Sequence, residues 1–106
     1  MERLKVTPDA IFVLTPDLWS IPRSGGASTL LRRDAHNDVD AIADFVYWSQ
    51  TPYPPRTPGC LGRAAADGSD AHCLLEGPYD FRGVRVDDEW VYFILAGDIG
   101  RLKREH

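Results

Sequence analysis

The residue types best suited to chemistry are concentrated between positions 34 and 44. Four carboxylates and one imidazole fall within this stretch, and they are Asp34, His36, Asp38, Asp40 and Asp44. Oxygen and nitrogen groups of this kind serve general acid–base catalysis or hold a divalent cation. We predict instead a surface that binds a basic partner, without a metal or cofactor. The alternative is an enzyme or small-molecule site in which His36 acts with Asp34 or Asp38.

A second group with chemical potential comprises Cys60, His72 and Cys73. Structural zinc sites usually bring cysteines in close pairs, whereas twelve residues separate these two. Neighbouring residues on a strand point to opposite faces, which disfavours His72 and Cys73 as a catalytic pair. The sequence therefore predicts two reduced and inert thiols, with a disulfide as the alternative.

A third group lies toward the C-terminus and is basic, comprising Arg82, Arg85, Arg101, Lys103 and Arg104. A hairpin followed by basic residues is similar to the end of the small ribosome-dependent RNase toxins of bacteria. The chain departs from those toxins in its net acidity, its scarcity of lysine and its lack of a second N-terminal helix. RNA binding is thus a further alternative, and it predicts that Arg82, Arg85 and Arg101 gather on one concave surface. A solvated tail over residues 101–106 is the prediction that we prefer.

The longest apolar run extends from Glu89 to Ala96 and predicts a central β-strand, because it is rich in β-branched and aromatic residues. The segment from Phe81 to Val86 precedes it and predicts the other half of an antiparallel hairpin. In that hairpin we expect Arg85 to lie opposite Trp90 and to stack on its indole. Both faces of the central strand are apolar and require cover.

Residues 38–50 predict one long helix, with Asn37 as its N-cap and acids in its first turn. One stripe of this helix comprises Val39, Ile42, Ala43, Val46 and Gln50, and Phe45 and Trp48 add a second apolar sector. This arc is wider than one sheet face needs, so a second surface should cover it. Further strands are predicted at residues 10–14, 29–33 and 71–76. The predicted class is therefore α+β, an antiparallel sheet of four to five strands with one long helix on one face and the C-terminal hairpin at its centre.

Composition sets the limits of these predictions. The chain has 106 residues, a net charge of −4 and 43% hydrophobic residues, which predicts one domain over residues 1–106. Residues 51–70 contain prolines 52, 54, 55 and 58 and predict an irregular connector. No apolar run reaches the roughly 18 residues of a membrane span, and no signal peptide opens the chain, so we expect a soluble, cytoplasmic protein. Ten of the twelve bases are Arg and twelve of the sixteen acids are Asp, a bias that suggests a bacterial or phage genome.

The sequence favours binding over catalysis. The apolar surface of the predicted helix and central strand exceeds what one short chain should cover, which predicts a homodimer. A monomer in which residues 51–70 cover the second sheet face is the alternative. We expect an inhibitor, immunity or regulatory protein, and neither nucleic acid nor a membrane as its partner. The predicted binding residues are Asp34, Asp38, Asp40, Asp44, Trp48, Tyr53 and Trp90.

Overall fold

The computed structural model describes residues 3–15, 17–33, 35, 37–43, 45–52, 58–95 and 97–104. This part of the chain forms eleven β-strands and contains no helix. In chain order the strands are β1 Arg3–Val6, β2 Ala10–Leu14, β3 Leu18–Pro22, β4 Thr29–Arg32, β5 Asp38–Ile42, β6 Phe45–Gln50, β7 Gly59–Ala65, β8 His72–Gly77, β9 Phe81–Val86, β10 Trp90–Leu95 and β11 Asp98–Lys103. The predicted α+β class with one long helix is therefore wrong. The structure describes no helix with the length and apolar character needed to cross a membrane.

The strands form three antiparallel sheets. The N-terminal sheet has the order β1-β2-β3-β4, the central sheet β5-β6-β7-β8 and the C-terminal sheet β9-β10-β11. Each strand thus pairs with its neighbours in sequence, and short local connections set the register of each sheet.

The central sheet is covered on both faces by the other two. Along β6, Val46 and Trp48 pack against the N-terminal sheet, whereas Tyr47 between them packs against the C-terminal sheet. The first cluster is built around Ala10, Phe12, Leu14, Leu18, Leu31, Ala35, Val39, Val46, Trp48, Cys60 and Ala64. The second is built around Tyr47, Leu61, Phe81, Val84, Val91 and Phe93. The fold is therefore a stack of three sheets with two apolar interfaces.

Burial on both faces of the central sheet explains why residues 38–50 form a hairpin and not the predicted helix. Because β6 is buried on both faces, it needs an unbroken apolar run, and such a run mimics the wide apolar arc of a helix. The β-branched and aromatic side chains at positions 45–48 fit the extended conformation better than a helix. Ala43 follows β5 with a φ of +52°, a left-handed backbone conformation that reverses the chain.

The predicted connector supplies one of the most deeply buried strands. β7 lies within residues 51–70, and all of its side chains except that of Ala65 are buried. Gly62 lies directly against the indole of Trp48, where a Cβ atom would overlap the ring. A stretch of small residues thus predicts a loop, but in the folded protein it allows two sheets to pack closely.

The predicted C-terminal hairpin is confirmed. β9 and β10 pair antiparallel, and β10 lies at the centre of its sheet. Only one face of β10 is covered, however: Val91 and Phe93 are buried, whereas Ile94 is 48% exposed. Arg85 lies opposite Tyr92 and not opposite Trp90 as predicted.

Candidate binding surfaces

The fold places the described part of the acidic cluster between sheets. Asp38 and Asp40 alternate on β5 and face the C-terminal sheet. Asp38 Oδ2 accepts the backbone N–H of Val84 at 3.2 Å and the Nη1 of Arg85 at 2.7 Å. Asp40 Oδ2 accepts the N–H of Val86 at 2.9 Å. The two carboxylates therefore satisfy donors along the outer edge of β9, which no strand of its own sheet pairs.

The remaining carboxylate oxygens reach the N-terminal sheet. Asp38 Oδ1 lies 3.5 Å from Arg3 Nε, and Asp40 Oδ1 lies 3.4 Å from Lys5 Nζ. The two acidic side chains are only 10% and 13% exposed. Asp38 and Asp40 thus tie β1, β5 and β9 together. The binding role predicted for them stays a prediction.

Four of the other predicted site residues, Asp34, His36, Asp44 and Tyr53, lie outside the described residues. The alternative proton-transfer site requires His36, so it stays a prediction. Trp48 is completely buried in the interface with the N-terminal sheet and leaves no surface to a partner.

Cys60 and Cys73 form a disulfide, so the prediction of reduced thiols is wrong. A register shift between Leu61 and Gly62 brings Cys73 opposite Gly62, and the two cysteine Cα atoms lie 5.6 Å apart. The sequence does not indicate this pairing, because the prolines and small residues of positions 51–70 predict a connector where β7 forms. His72 Nδ1 lies 2.8 Å from the carbonyl oxygen of Asp70. Among the described residues, no three His, Cys, Asp or Glu side chains are grouped as metal ligands.

Of the three arginines of the RNA hypothesis, Arg85 and Arg101 flank Tyr92 on one side of the C-terminal sheet. Arg82 Nε lies 2.6 Å from Asp80, and Arg85 Nη1 lies 2.7 Å from Asp38. The guanidinium of Arg101 lies 4.0 Å from the centroid of the Trp90 ring. Since local acids engage two of the three, their arrangement counts against RNA binding.

One side of the C-terminal sheet combines aromatic, aliphatic and cationic side chains at its outer surface. Its register places Trp90 beside Lys103, Tyr92 between Arg101 and Arg85, and Ile94 beside Ile99. These seven residues alternate with those that enter the core. The aromatic–cationic face is defined as Arg85, Trp90, Tyr92, Ile94, Ile99, Arg101 and Lys103.

Side-chain contacts hold the aromatic rings of this face in place. Arg101 and Lys103 both lie over the Trp90 ring, with Lys103 Nζ at 5.6 Å from its centroid. The hydroxyl of Tyr92 donates to Asp87 Oδ2 at 3.0 Å, and this hydrogen bond raises the pKa of Tyr92. The Asp87 carboxylate also accepts the N–H groups of Glu89 and Trp90, which lower its pKa. A fixed ring loses little side-chain entropy on binding a partner.

The face also contains a shallow depression of about 270 Å³. It lies beside Gly83, where the absence of a side chain leaves room next to Ile94. Its lining comprises Asp38, Gly83, Val84, Arg85, Tyr92, Phe93, Ile94 and Ile99. A depression of this size accommodates a single projecting side chain of a partner more readily than a free ligand.

No protein-family model matches this sequence, and no curated protein matches it. Function therefore has to be inferred from surface geometry. Among the described residues, the predicted binding residue Trp90 belongs to this face, and Asp38 lines its depression. Alternation in the sequence places Ile94 on the same face of β10 as Trp90, but neither Ile94 nor Ile99 is among the predicted binding residues; alternation along β11 is the signal for Ile99.

Proposed function

We propose that this protein acts by binding another protein through the aromatic–cationic face. The observation that carries the proposal is the grouping of Trp90, Tyr92 and Arg101 on one side of a sheet whose other side is anchored in the core. Tryptophan, tyrosine and arginine are the residue types that most often dominate binding free energy at protein interfaces. Each combines a large contact area with a polar group, so it contributes in a partly wet interface.

The partner that fits this face presents acidic and apolar groups. The sequence predicted a basic partner on the assumption that the acids near position 40 are free to bind it. Asp38 and Asp40 are instead engaged with Arg3, Lys5 and Arg85. On this face β11 presents the cationic Arg101 and Lys103, and the exposed Ile99 lies on the same side of the strand. An acidic protein surface with a projecting apolar side chain matches both features.

A photo-crosslinking amino acid at position 99 tests this function in cells of the organism that encodes the protein. Ile99 is 77% exposed, so the replacement leaves the core intact. We expect a discrete adduct with an acidic protein, and none from the same probe at exposed Ser24 beyond the far end of β3. Charge reversal by Arg101→Glu with Lys103→Glu should abolish the adduct, whereas the matched control Arg23→Glu should not.

The affinity of the purified protein for the captured partner provides a quantitative test. Trp90→Ala should weaken it by at least about tenfold, equivalent to roughly 1.4 kcal/mol. An adduct that persists after charge reversal contradicts the proposal. So does saturable binding of single-stranded RNA at the same face without any protein partner.

We also propose an oxidising compartment for this protein, in place of the cytoplasm predicted from the sequence. The supporting observation is the bond between Cys60 and Cys73, since structural disulfides persist mainly outside reducing compartments. Maleimide labelling in denaturant, after acid quenching of intact cells, should leave both cysteines unmodified. Complete labelling without prior reduction would overturn this location.

A further inference from the structure

The outer side of the N-terminal sheet is formed by apolar residues from all four strands. In β2, Phe12 and Leu14 enter the core, so the alternate residues Ile11 and Val13 point outward. The register aligns Ile11 with Val6 and Ile21, and Val13 with Leu4 and Trp19, and it pairs Trp19 in turn with Leu30. The apolar face is defined as Leu4, Val6, Ile11, Val13, Trp19, Ile21 and Leu30.

This face is open to solvent on the side of β1. Leu4 is 61% exposed and Val6 is 56% exposed, and the other five residues are partly exposed. Contiguous exposed apolar residues of this kind are uncommon on soluble monomers and mark interaction sites. β1 therefore ends the sheet with an apolar strip that adds nothing to the two internal interfaces.

The charged residues of β1 are turned away from the apolar face. Arg3 and Lys5 alternate with Leu4 on the opposite side of the strand, where their partly exposed side chains lie 3.5 Å from Asp38 and 3.4 Å from Asp40. These ion pairs fix β1 against the central sheet and so fix the plane of the face. The strands consequently place no ionisable side chain among its seven members.

We infer that the apolar face binds the same face of a second copy of this chain, forming a two-fold symmetric dimer. Two copies can meet here without opposing like charges, because the face has none. The aromatic–cationic face could not associate with itself in this way, since it would oppose Arg101 and Lys103 of one copy to those of the other. Sheet stacking is also how the chain builds both of its internal interfaces.

The size of the face sets the expected strength of the dimer. Strand spacing and rise give four strands a plane of roughly 19 by 17 Å. This plane of roughly 320 Å² per copy is smaller than the roughly 600 Å² per partner at which stable interfaces begin, so we expect a weak, transient dimer with a dissociation constant in the micromolar range. The dimer leaves the aromatic–cationic face on the opposite side of the stack free, so it does not depend on the proposed function.

Sedimentation equilibrium of the full chain, with its disulfide intact, tests this dimer. At the upper end of the micromolar range we expect twice the chain mass of 11.9 kDa, and dissociation on dilution. Val6→Glu and Val6→Lys should both weaken association by more than about tenfold, because either charge is desolvated at an apolar contact. Ile99→Glu, the matched control on the other outer face, should leave the dimer intact.

Val13→Thr provides a second, milder variant, because it keeps the β-branched shape and the strand preference while adding a hydroxyl. It should raise the dissociation constant without changing the circular dichroism spectrum. A native chain that stays monomeric up to the millimolar range would overturn the inference. An unchanged dimer in both Val6 variants, or dissociation by Ile99→Glu, would do the same.

Discussion

At the level of single residues, Asp38 and Asp40 provide acceptors that β9 would otherwise obtain from another strand. Their carboxylates accept the N–H groups of Val84 and Val86 and pair with cations from β1. Acids in a row usually mark a solvated or binding surface, but here each oxygen has an internal partner. The cost of leaving a buried donor unpaired explains why these positions need carboxylates.

Asp38→Ala should lower the free energy of unfolding by about 2 kcal/mol, since it leaves the buried Val84 N–H without its acceptor and removes one of the hydrogen bonds of Arg85. Urea denaturation measures the change. Asp88→Ala, in the exposed β9–β10 turn, is the matched control and should cost less than about 0.5 kcal/mol. Equal effects at the two positions would show that Asp38 is an ordinary surface acid.

Ala43 is the second position where one residue decides the local structure. Its φ of +52° is unfavourable for a residue with a Cβ atom, whereas glycine adopts this conformation freely. Ala43→Gly should therefore stabilise the protein by roughly 0.5 kcal/mol, the difference between relieved strain and greater unfolded-state entropy. Ala41→Gly, within β5, should instead destabilise it by about 1 kcal/mol. Thermal unfolding distinguishes the two signs.

At the level of elements, the β9–β10 hairpin is closed by a carboxylate. Asp87 accepts the N–H groups of Glu89 and Trp90, and these bonds lower its pKa below the ordinary value of 3.8. Because the folded pKa lies below the unfolded one, the carboxylate stabilises the hairpin above pH 3.8. That contribution is lost as the pH falls through the folded pKa.

The same turn shifts the pKa of Tyr92 in the opposite direction, upward. Its hydrogen bond to Asp87 raises its pKa above 10.0, so its contribution is present below pH 10.0 and is lost as the pH rises through the folded pKa. Asp87→Asn should move the Tyr92 pKa back toward its ordinary value, as measured by phenolate absorbance. Glu89→Gln is the control, because Glu89 is the smallest influence on that pKa, and it should produce a smaller shift.

The disulfide acts on the β7–β8 hairpin. It joins cysteines 13 positions apart. Closing a loop of that length removes unfolded-state entropy worth about 3 kcal/mol. The double variant Cys60→Ala with Cys73→Ala should lose about this much stability in urea denaturation and should no longer respond to a reducing agent. Unchanged stability would mean that the disulfide adds no stability to the β7–β8 hairpin beyond that provided by the sheet.

At the level of the whole molecule, the central sheet couples the two outer ones. Trp48 packs on its N-terminal side and Leu61 on its C-terminal side, both with no exposed area. Within the part of the chain that the structure describes, neither outer sheet has a second apolar interface, so each depends on the central sheet for its core. We therefore expect the three layers to unfold together.

Leu61→Ala tests this coupling. The cavity should cost about 2 to 5 kcal/mol. Amide exchange in β2 and β3 should accelerate together with exchange in β10, although Leu61 faces only the C-terminal sheet. Loss of protection in the C-terminal sheet alone would contradict a single cooperative unit.

Sequence alone determined the elements that local patterns specify. The hairpin of β9 and β10, the apolar strand β2 and the short strands β4 and β8 follow from alternation, β-branched residues and turn signals within a few positions. The same alternation places Ile94 on the face of β10 that carries Trp90. These features depend on contacts between neighbours in the chain, which the sequence displays directly.

Only the tertiary structure decided the state of residues 38–50, the pairing of Cys60 with Cys73 and the role of Asp38. A continuous apolar run indicates that a segment is buried on both sides, but it does not indicate whether that segment is a helix or a strand. The partners that settle the question come from β2 and β9, far away in the chain. Burial is a non-local property, and for this reason the acids of β5 could be assigned a role only once three sheets had been stacked around them.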